Sequence, residues 1–356
     1  MREQVVMGID GGGTKVHVVM ASLKGEVLGF GAGGAVNPSF TPLPEASRHL
    51  ETAISTAIEA SGARKEEVAA IVCAGPMGTS VCEPALVSVG ITTDVIYAGE
   101  PEVAMALWPE QPDHALVLGV GTGTFAWARN GRGQEVVVDG YGYPIGDDGS
   151  GTDIGIRFLR AVLQALDGRG PGTALVDTFI RHTGLTEVSE IIQAVHGGSL
   201  ATHQAWAGLV PPLVKTAKAG DAVARAILSD AAHQVTKSAR RALERAGLLS
   251  LPTTGICIGG IFRAGDPFLA PLAQECRNMI PRLRLMLPLV LPVVGSTALA
   301  IRAAHSNDVR EALHRLATDR RLRWGLSADD GGEDLAYKFA PECSWATMVL
   351  PPENRV

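Results

Sequence analysis

Residues 5–15 read VVMGIDGGGTK, and this stretch decides the fold. An apolar run leads into Asp10, three glycines and Thr14, and a second apolar run at residues 16–21 follows at once. Successive glycines let the backbone turn tightly and leave N–H groups uncovered, an arrangement that cradles phosphate oxygens. The Asp10 carboxylate could hold Mg²⁺ through water, and Thr14 could donate to a phosphate. A plain hairpin turn is the competing interpretation, because Gly-Gly is a common hairpin connection.

The same pattern recurs in the middle of the chain. An apolar run at residues 115–120 ends in Gly-Thr-Gly-Thr at residues 121–124, and another strand follows directly. A later apolar strand, residues 254–258, closes on Gly259-Gly260. Two glycine–threonine turns between antiparallel strands suit a nucleotide whose phosphates lie between two duplicated domains. The sequence contains no P-loop and no dinucleotide-binding fingerprint that opens a helix, which are the other common phosphate-binding patterns.

Length and composition narrow the class of protein. At 356 residues the chain is longer than one hydrophobic core usually supports, so two domains are expected. A net charge of −6 argues against nucleic acid or an anionic membrane surface as a partner. The N-terminus reads as a strand rather than a signal peptide, and the apolar stretch 285–294 is too short to span a membrane. The five cysteines, with no C-x-x-C pair, favour reduced thiols in a cytoplasmic protein.

Several motifs occur in a fixed order between residues 4 and 305. They are DGGGTK at 10–15, Asn37-Pro38, GTGT at 121–124, Gly140-Tyr141-Gly142, GDDGSG at 146–151, GGIF at 259–262 and PVVG at 292–295. This set resembles the superfamily of sugar kinases, Hsp70 chaperones and actin. Within that superfamily it is similar to the N-acetylglucosamine kinase-like branch of the BadF/BadG/BcrA/BcrD ATPase family.

The resemblance implies an α/β fold of two ribonuclease H-like (actin-like ATPase) domains. Each domain would be a mixed sheet flanked by helices, with an interdomain cleft. The implied boundaries are 1–115 for the N-terminal domain and 116–305 for a larger C-terminal domain with a helical insertion. Residues 306–356 would form a C-terminal helix and a peripheral tail, part of which could pack back on the N-terminal domain.

The resemblance also implies roles for individual residues. Asp10 would lie near Mg²⁺. The residues expected to bind ATP are Gly12, Gly13, Thr14, Lys15, Thr122, Ala207, Gly259 and Gly260. The residues expected to line the sugar pocket are Asn37, Thr124, Phe125, Gly140, Tyr141, Gly142 and Asp147. For Tyr141, an aromatic face against a sugar ring and core packing are both open. One of Asp147 and Asp148 is also expected to cap the helix that begins near Thr152.

The general base is the position at which this chain departs from the family pattern. Family members carry an Asp in a motif like [TN]-D-A-x-x-A, whereas residues 99–104 here read GEPEVA and align Glu100 with that Asp. Glu100 is therefore the candidate catalytic residue. Its extra methylene leaves three interpretations open: a working base, a base for a changed acceptor, or a binding role with weak transfer. Glu102 is expected to be an ordinary acidic residue of the first helical turn.

The implied activity is an ATP-dependent carbohydrate kinase, which transfers the γ-phosphoryl group to a primary hydroxyl of an amino sugar or hexose. N-acetylglucosamine (GlcNAc) or glucosamine is the default acceptor, and a cyclitol or muramic-type sugar is the alternative. A different class, the activator ATPase of acyl-CoA dehydratases and reductases, occurs in the same family. Cys73 and Cys82 lack the setting expected for the cluster of such an activator. A homodimer is the expected assembly.

Overall fold

The computed structural model describes residues 4–108, 112–288, 290–304, 309–323 and 347–350. Two compact units are present. The first is drawn from residues 1–111 and 288–348, and the second from residues 112–287 and 349–356. Most of the expected peripheral tail, together with Cys343, lies outside the described residues.

The first unit contains a five-stranded mixed sheet. Its strands are β1 (Val5–Gly11), β2 (Val16–Ser22), β3 (Val27–Gly33), β4 (Val68–Ala74) and β5 (Val95–Ala98). They are arranged in the order β3-β2-β1-β4-β5. Strands β1, β4 and β5 run parallel to one another, whereas β1, β2 and β3 form an antiparallel meander. The opening glycine turn therefore does join two antiparallel strands.

Helices α1 (Leu43–Ser61), α2 (Gly78–Ser88) and α3 (Glu100–Ala106) belong to this unit, with a 3-10 turn at Lys65–Glu67. Helix α1 buries one face, which consists of Ala46, Leu50, Ala53, Ile54 and Ala57. This face packs on β3, where Gly29 and Gly31 replace side chains. A Cβ atom at either glycine would overlap the carbonyl oxygen of Ala57 or Ala53. Because the strand carries no side chain at these positions, the helix backbone can approach the sheet closely.

The second unit repeats the topology of the first. Its strands are β6 (Ala115–Val120), β7 (Thr124–Arg129), β8 (Glu135–Asp139), β9 (Thr253–Ile258) and β10 (Leu283–Pro288). They lie in the order β10-β9-β6-β7-β8, and β11 (Thr347–Leu350) extends the edge beside β10. The β6–β7 and β7–β8 pairs are antiparallel, whereas β6–β9 and β9–β10 are parallel. This confirms the duplicated, mixed-sheet α/β architecture predicted from the two glycine–threonine turns.

The helices of the second unit come mainly between β8 and β9. They are α4 (Gly151–Leu166), α5 (Leu175–Thr183), α6 (Val188–Gly197), α7 (His203–Ala207), α8 (Val210–Lys218) and α9 (Ala222–Arg245), with α10 (Asp266–Met279) between β9 and β10. A 3-10 turn at Gly260–Ala264 leads into α10. Helix α9 starts where Asp221 accepts a hydrogen bond from the Ala224 N–H, a cap that satisfies one of the unpaired donors of the first turn. No helix among the described residues has the length and apolar character needed to cross a membrane.

The chain then returns to the first unit with α11 (Val293–Ala304), α12 (Arg310–Thr318) and a 3-10 turn at Arg320–Leu322. Helix α11 crosses β1 at Gly8, where a Cβ atom would overlap Thr297. It crosses α3 at Gly295, where a Cβ atom would overlap the carbonyl oxygen of Val103. The sequence-based boundary had put residues 293–304 in the second domain. The structure groups them with the first, because their apolar face covers its sheet.

Candidate functional site

Two carboxylates meet at one edge of the first sheet. Asp10 is paired in register with Ala74 of β4, and Ala74 is paired with Ala98 of β5. Since these strands are parallel, their carboxyl ends lie at the same edge, and α3 begins there with Glu100. Burial raises the pKa of Asp10 to about 7; the negative charge of Glu100 adds to the shift, and Lys15 opposes it. The structure thus brings together the candidate metal residue, the candidate base and one candidate phosphate-binding residue.

Glu100 is held at the start of α3 by its neighbours. The Gly99 N–H donates to Oε2 of Glu102 at 3.1 Å, so Glu102 closes the first turn and the expectation for this residue is confirmed. Burial raises the pKa of Glu100 as well. Both Asp10 and Glu100 keep part of their surface open to solvent while being densely surrounded by protein atoms. A carboxylate in such surroundings is a stronger base than one in water.

The first glycine turn presents its hydroxyl and its ammonium group to solvent. The Gly12 N–H donates to the carbonyl oxygen of Lys15 at 2.9 Å, and the Val36 N–H donates to the carbonyl oxygen of Gly12 at 3.0 Å. Thr14 and Lys15 are exposed. The second of these hydrogen bonds brings Asn37, the residue after Val36, beside the glycine turn. The carboxamide oxygen of Asn37 accepts from the Ser39 N–H at 3.0 Å, which orients its side chain.

The second glycine turn is braced by the start of α4. The Gly151 N–H donates to the carbonyl oxygen of Gly121 at 2.8 Å. Both the N–H and the hydroxyl of Thr152 donate to the carbonyl oxygen of Thr122, the hydroxyl at 2.8 Å. The N-terminal turn of a helix carries partial positive charge, so a turn fixed against it is a suitable place for an anion.

The candidate adenosine residues surround the same helix start. Gly259 has φ 111°, and a Cβ atom there would overlap the carbonyl oxygen of Val120, immediately before the second glycine turn. A Cβ atom on Gly151 would lie 3.2 Å from Ala207 Cβ and 3.4 Å from Ile261 Cδ1. The structure therefore brings Thr122, Ala207, Gly259 and Gly260 together within the second unit.

Four of the candidate sugar residues of the second unit, Gly140, Tyr141, Gly142 and Asp147, lie on the loop of residues 140–148, which follows β8. Asp147 is buried, and its Oδ1 accepts from the Thr124 N–H at 3.1 Å. Burial raises the pKa of Asp147, the charge of Asp139 raises it further, and backbone donors and His203 oppose these effects. Within the part of the chain that the structure describes, Thr124 Oγ1 is buried and has no hydrogen-bond partner. An unpaired buried hydroxyl beside a carboxylate suggests that a ligand completes the hydrogen bonding.

Tyr141 lies on the same loop and is 68% exposed. Core packing, one of its two interpretations, is therefore wrong, and an aromatic surface available to a ligand remains. Gly140 lies against Phe125, with 3.3 Å between the position of an added Cβ atom and Phe125 Cβ. The loop thus carries Gly140, Tyr141, Gly142 and Asp147, of which Gly140 lies against Phe125 and Asp147 is hydrogen-bonded to Thr124.

The predicted helix cap is wrong. Neither Asp147 nor Asp148 caps α4; the Ser150 hydroxyl accepts from the Asp153 N–H at 3.2 Å, and Asp153 Oδ2 accepts from the Gly149 N–H at 2.9 Å. Asp147 has φ 65°, and its carboxylate is directed at Thr124 instead. Ser150 is the residue directly before the helix, which is the position that a capping oxygen must occupy.

From the sequence, Asp139 is a candidate pocket residue without motif support, and only the contribution of His203 was missed. Asp139 accepts hydrogen bonds from backbone groups eight and nine residues away, and no local motif signals such a contact. His203 stacks on Trp206, with ring centroids 5.4 Å apart, and influences Asp147. From sequence alone His203 was an ordinary helix or loop residue.

The chain belongs to the BadF/BadG/BcrA/BcrD ATPase family, whose sequence profile matches residues 7–300. Among characterised relatives, it is 29% identical over 262 residues to the N-acetylmuramic acid/N-acetylglucosamine kinase of Clostridium acetobutylicum, covering 72% of this chain and 85% of that protein. It is 26% identical to the N-acetyl-D-glucosamine kinase of Dictyostelium discoideum, covering 70% and 82%. It is also 26% identical to the glucosamine kinase GspK of Vibrio cholerae, covering 64% and 77%.

Solved structures show the same fold. A candidate N-acetylglucosamine kinase from Chromobacterium violaceum superposes with a TM-score of 0.65 at 22% identity, covering 84% of this chain and 99% of that one. A second, from Porphyromonas gingivalis, gives a TM-score of 0.62 at 20% identity, covering 85% and 100%. These likenesses confirm the predicted fold class, and the family match confirms the resemblance read from the motifs.

Proposed function

We propose that this protein is an ATP-dependent amino-sugar kinase, which transfers the γ-phosphoryl group of ATP to a primary hydroxyl of a sugar of the GlcNAc or glucosamine type. The observation that carries the proposal is the arrangement of Asp10 and Glu100 beside the first glycine turn. The second unit repeats the topology of the first and contains the other glycine turn. All three relatives cited above are named as kinases of amino sugars.

In this proposal both units contain nucleotide-binding residues. The first glycine turn, with Gly12, Gly13, Thr14 and Lys15, binds phosphate oxygens. In the second unit Thr122 binds phosphate, and Ala207, Gly259 and Gly260 bind the adenosine. Backbone N–H groups and positive charge around the phosphates supply most of the rate in phosphoryl transfer, because the reaction needs little covalent help from the protein.

Mg²⁺ fits the acidic edge of the first sheet. No cluster of three or more metal-binding side chains exists among the described residues. Mg²⁺ does not need one, since it usually keeps several waters and takes one or two carboxylates together with phosphate oxygens. Asp10 would hold the ion through water, and the proximity of Glu100 increases the negative charge there. When bound, Mg²⁺ neutralises charge on the transferred phosphoryl group.

Glu100 is proposed as the general base, and the second unit is proposed to orient the sugar. Burial raises the pKa of Glu100, and a carboxylate whose pKa is raised accepts a hydroxyl proton more readily than an ordinary one. Asp147 and Thr124 would bind sugar hydroxyls, Tyr141 would lie against the ring, and Phe125, Gly140 and Gly142 would complete the pocket. Asn37, in the first unit, is proposed separately as a sugar-binding residue.

A coupled assay of ADP release tests the function. Purified protein with Mg-ATP is offered GlcNAc, glucosamine, N-acetylmuramic acid, glucose and a cyclitol in turn, and the product is located by NMR. ADP release that depends on an amino sugar, with phosphate on its primary hydroxyl, is expected. ADP release without any acceptor would contradict the proposal and favour an activator ATPase.

A muramic-type sugar is the second candidate acceptor, because the Clostridium acetobutylicum relative is named for both sugars. The activator class has less support, since Cys73 and Cys82 are free thiols buried in the core of the first unit rather than exposed for a shared cluster. We further propose that the protein acts in the cytoplasm as a homodimer, which light scattering of the purified chain would test.

A further inference from the structure

We infer that Asp139 is a positioning residue for sugar binding: its carboxylate holds the loop of residues 140–148 in the shape that presents Asp147 to the acceptor. The inference rests on the proposed function and adds to it a residue that no motif of the sequence singles out. Asp139 does not need to touch the sugar, since it acts through the backbone of the loop.

The hydrogen bonds of Asp139 tie both ends of the loop to one point. Its Oδ1 accepts from the Gly140 N–H at 2.8 Å and from the Asp147 N–H at 2.8 Å. Its Oδ2 accepts from the Asp148 N–H at 3.3 Å. Hydrogen bonds to a charged acceptor are stronger than neutral ones. The loop leaves β8 at Asp139 and is brought back to the same carboxylate eight residues later.

Asp139 is itself fixed in the sheet. It is the last residue of β8 and lies opposite Phe125 of β7. Its φ is 66°, a conformation that residues other than glycine adopt infrequently and that aspartate tolerates better than most. Gly146 leaves room for the carboxylate, because a Cβ atom at that position would lie 2.7 Å from Asp139 Oδ1. The positive φ of Asp139 and the glycine at position 146 are both explained if the Asp139 carboxylate is required to bind the backbone of this loop.

Asp139 positions Asp147 through a hydrogen bond to the main chain of Asp147. The Asp147 N–H is bound by Asp139, while the Asp147 carboxylate accepts from Thr124 on the neighbouring strand. These two contacts fix the residue from both sides and hold it at φ 65°, so its carboxylate has a defined direction before a ligand arrives. Preorganisation of this kind lowers the cost of ordering a binding loop when the ligand binds.

The experiment compares Asp139→Ala and Asp139→Asn in the full chain. Amide hydrogen exchange without ligand should show faster exchange at Asp147 and Asp148 in the Ala variant. The sugar KM should rise at least about tenfold, since more than one charge-assisted hydrogen bond is lost, while the KM for ATP stays within about threefold of wild type. The Asn variant keeps an oxygen for the two 2.8 Å contacts and should restore the sugar KM to within about threefold.

Asp167→Asn is the matched control, because Asp167 is a loop carboxylate of the same unit that also accepts a backbone N–H, from Arg169 at 3.1 Å. It should change neither KM. The inference is overturned if Asp139→Ala leaves the sugar KM unchanged, or if the KM values for sugar and ATP rise together. Unaltered exchange at Asp147 would overturn it too. If the wild-type chain phosphorylates no sugar at all, the proposed function fails instead, and the two failures are thereby told apart.

Discussion

Asp10 at the end of β1 is electrostatically coupled to Glu100 at the start of α3: burial raises the pKa of Asp10 to about 7, and the negative charge of Glu100 adds to the shift. A carboxyl beside a second carboxylate holds its proton more tightly than it would alone. The pair lies beside Lys15, whose charge opposes the shift. This small group of charges contains the proposed base and the proposed Mg²⁺ residue, and it is the most direct target for experiments.

Glu100→Gln should lower kcat by about 10²–10⁴-fold, because the amide keeps the size of the side chain but cannot accept the hydroxyl proton. The affinity for ATP should stay within a few-fold, as measured by calorimetry. Glu102→Gln is the control on the same helix turn, since its amide oxygen can still accept from the Gly99 N–H. A fall in kcat of less than tenfold for Glu100→Gln would rule out Glu100 as the base.

Asp10→Asn should stabilise the protein while abolishing transfer. A carboxyl whose folded pKa lies above its ordinary value of 3.8 contributes stability at low pH, and that contribution is lost as pH rises from about 4 to about 7. The shift corresponds to at most about 4 kcal/mol, and partial exposure reduces the expected gain to about 1–3 kcal/mol at pH 8. Urea unfolding at pH 5 and pH 8 should show the larger gain at pH 8.

Asp167 is the control for Asp10, because its pKa is shifted in the opposite direction. Hydrogen bonds from Arg169 lower the pKa of Asp167, so its ionised form is the favoured one in the folded protein. Asp167→Asn should therefore give no gain in stability at pH 8. An Asp10→Asn protein whose stability matches wild type at both pH values would show that the ionised Asp10 carboxylate does not destabilise the folded protein.

Thr124→Val should separate ligand binding from folding. The buried hydroxyl of Thr124 has no partner among the described residues, so its replacement by a methyl group should leave the free energy of unfolding unchanged or slightly higher. The sugar KM should rise about tenfold if the hydroxyl binds the acceptor. Thr152→Val is the contrasting variant: it removes the 2.8 Å bond to the Thr122 carbonyl and should destabilise by about 1 kcal/mol. A loss of stability in Thr124→Val would mean that the hydroxyl serves the fold.

Tyr141→Ala should raise the sugar KM several-fold with little change in stability, because an exposed side chain away from the core contributes little to folding. Tyr141→Phe should retain most of the affinity if the ring face is the contact. Ile145, on the same loop and 80% exposed, provides the control. Equal KM values for Tyr141→Ala and Ile145→Ala would leave Tyr141 without a specific role.

The sequence predicted those elements whose pattern is local. The first glycine turn was recognised from its three glycines. Strand β6 at Ala115–Val120 was found with correct bounds, because it is a short apolar run that ends at a glycine. Strand β8 was missed, since only Val136 is buried and Val137 is 53% exposed, so no apolar run marks it. Strand β10 was missed for a different reason: its apolar residues were read as one stretch with those that follow Pro288.

For the candidate site, too, the residues that could be named from the sequence were those with a local pattern. Residues in short motifs, such as Asp10, Thr122 and Asp147, could be named from the sequence. Glu100 could be named too, from the resemblance to a family motif that contains an acid. Asp139 could be named only as a candidate pocket residue without motif support, because its partners are defined by the path of a loop rather than by spacing. The capping role of Ser150 was misassigned to Asp147 or Asp148, since sequence does not show which of several adjacent oxygens is directed at the helix.

The return of α11 to the first sheet also sets an order for folding during synthesis. The close approach at Gly8 needs Thr297, which the ribosome adds nearly 290 residues later, whereas five adjacent strands of the second unit are complete by residue 288. The second unit can therefore fold while the first still has one sheet face uncovered. The nascent N-terminal segment of the first unit would present apolar surface until α11 is complete at Ala304, which makes it the part of the chain that a chaperone would bind.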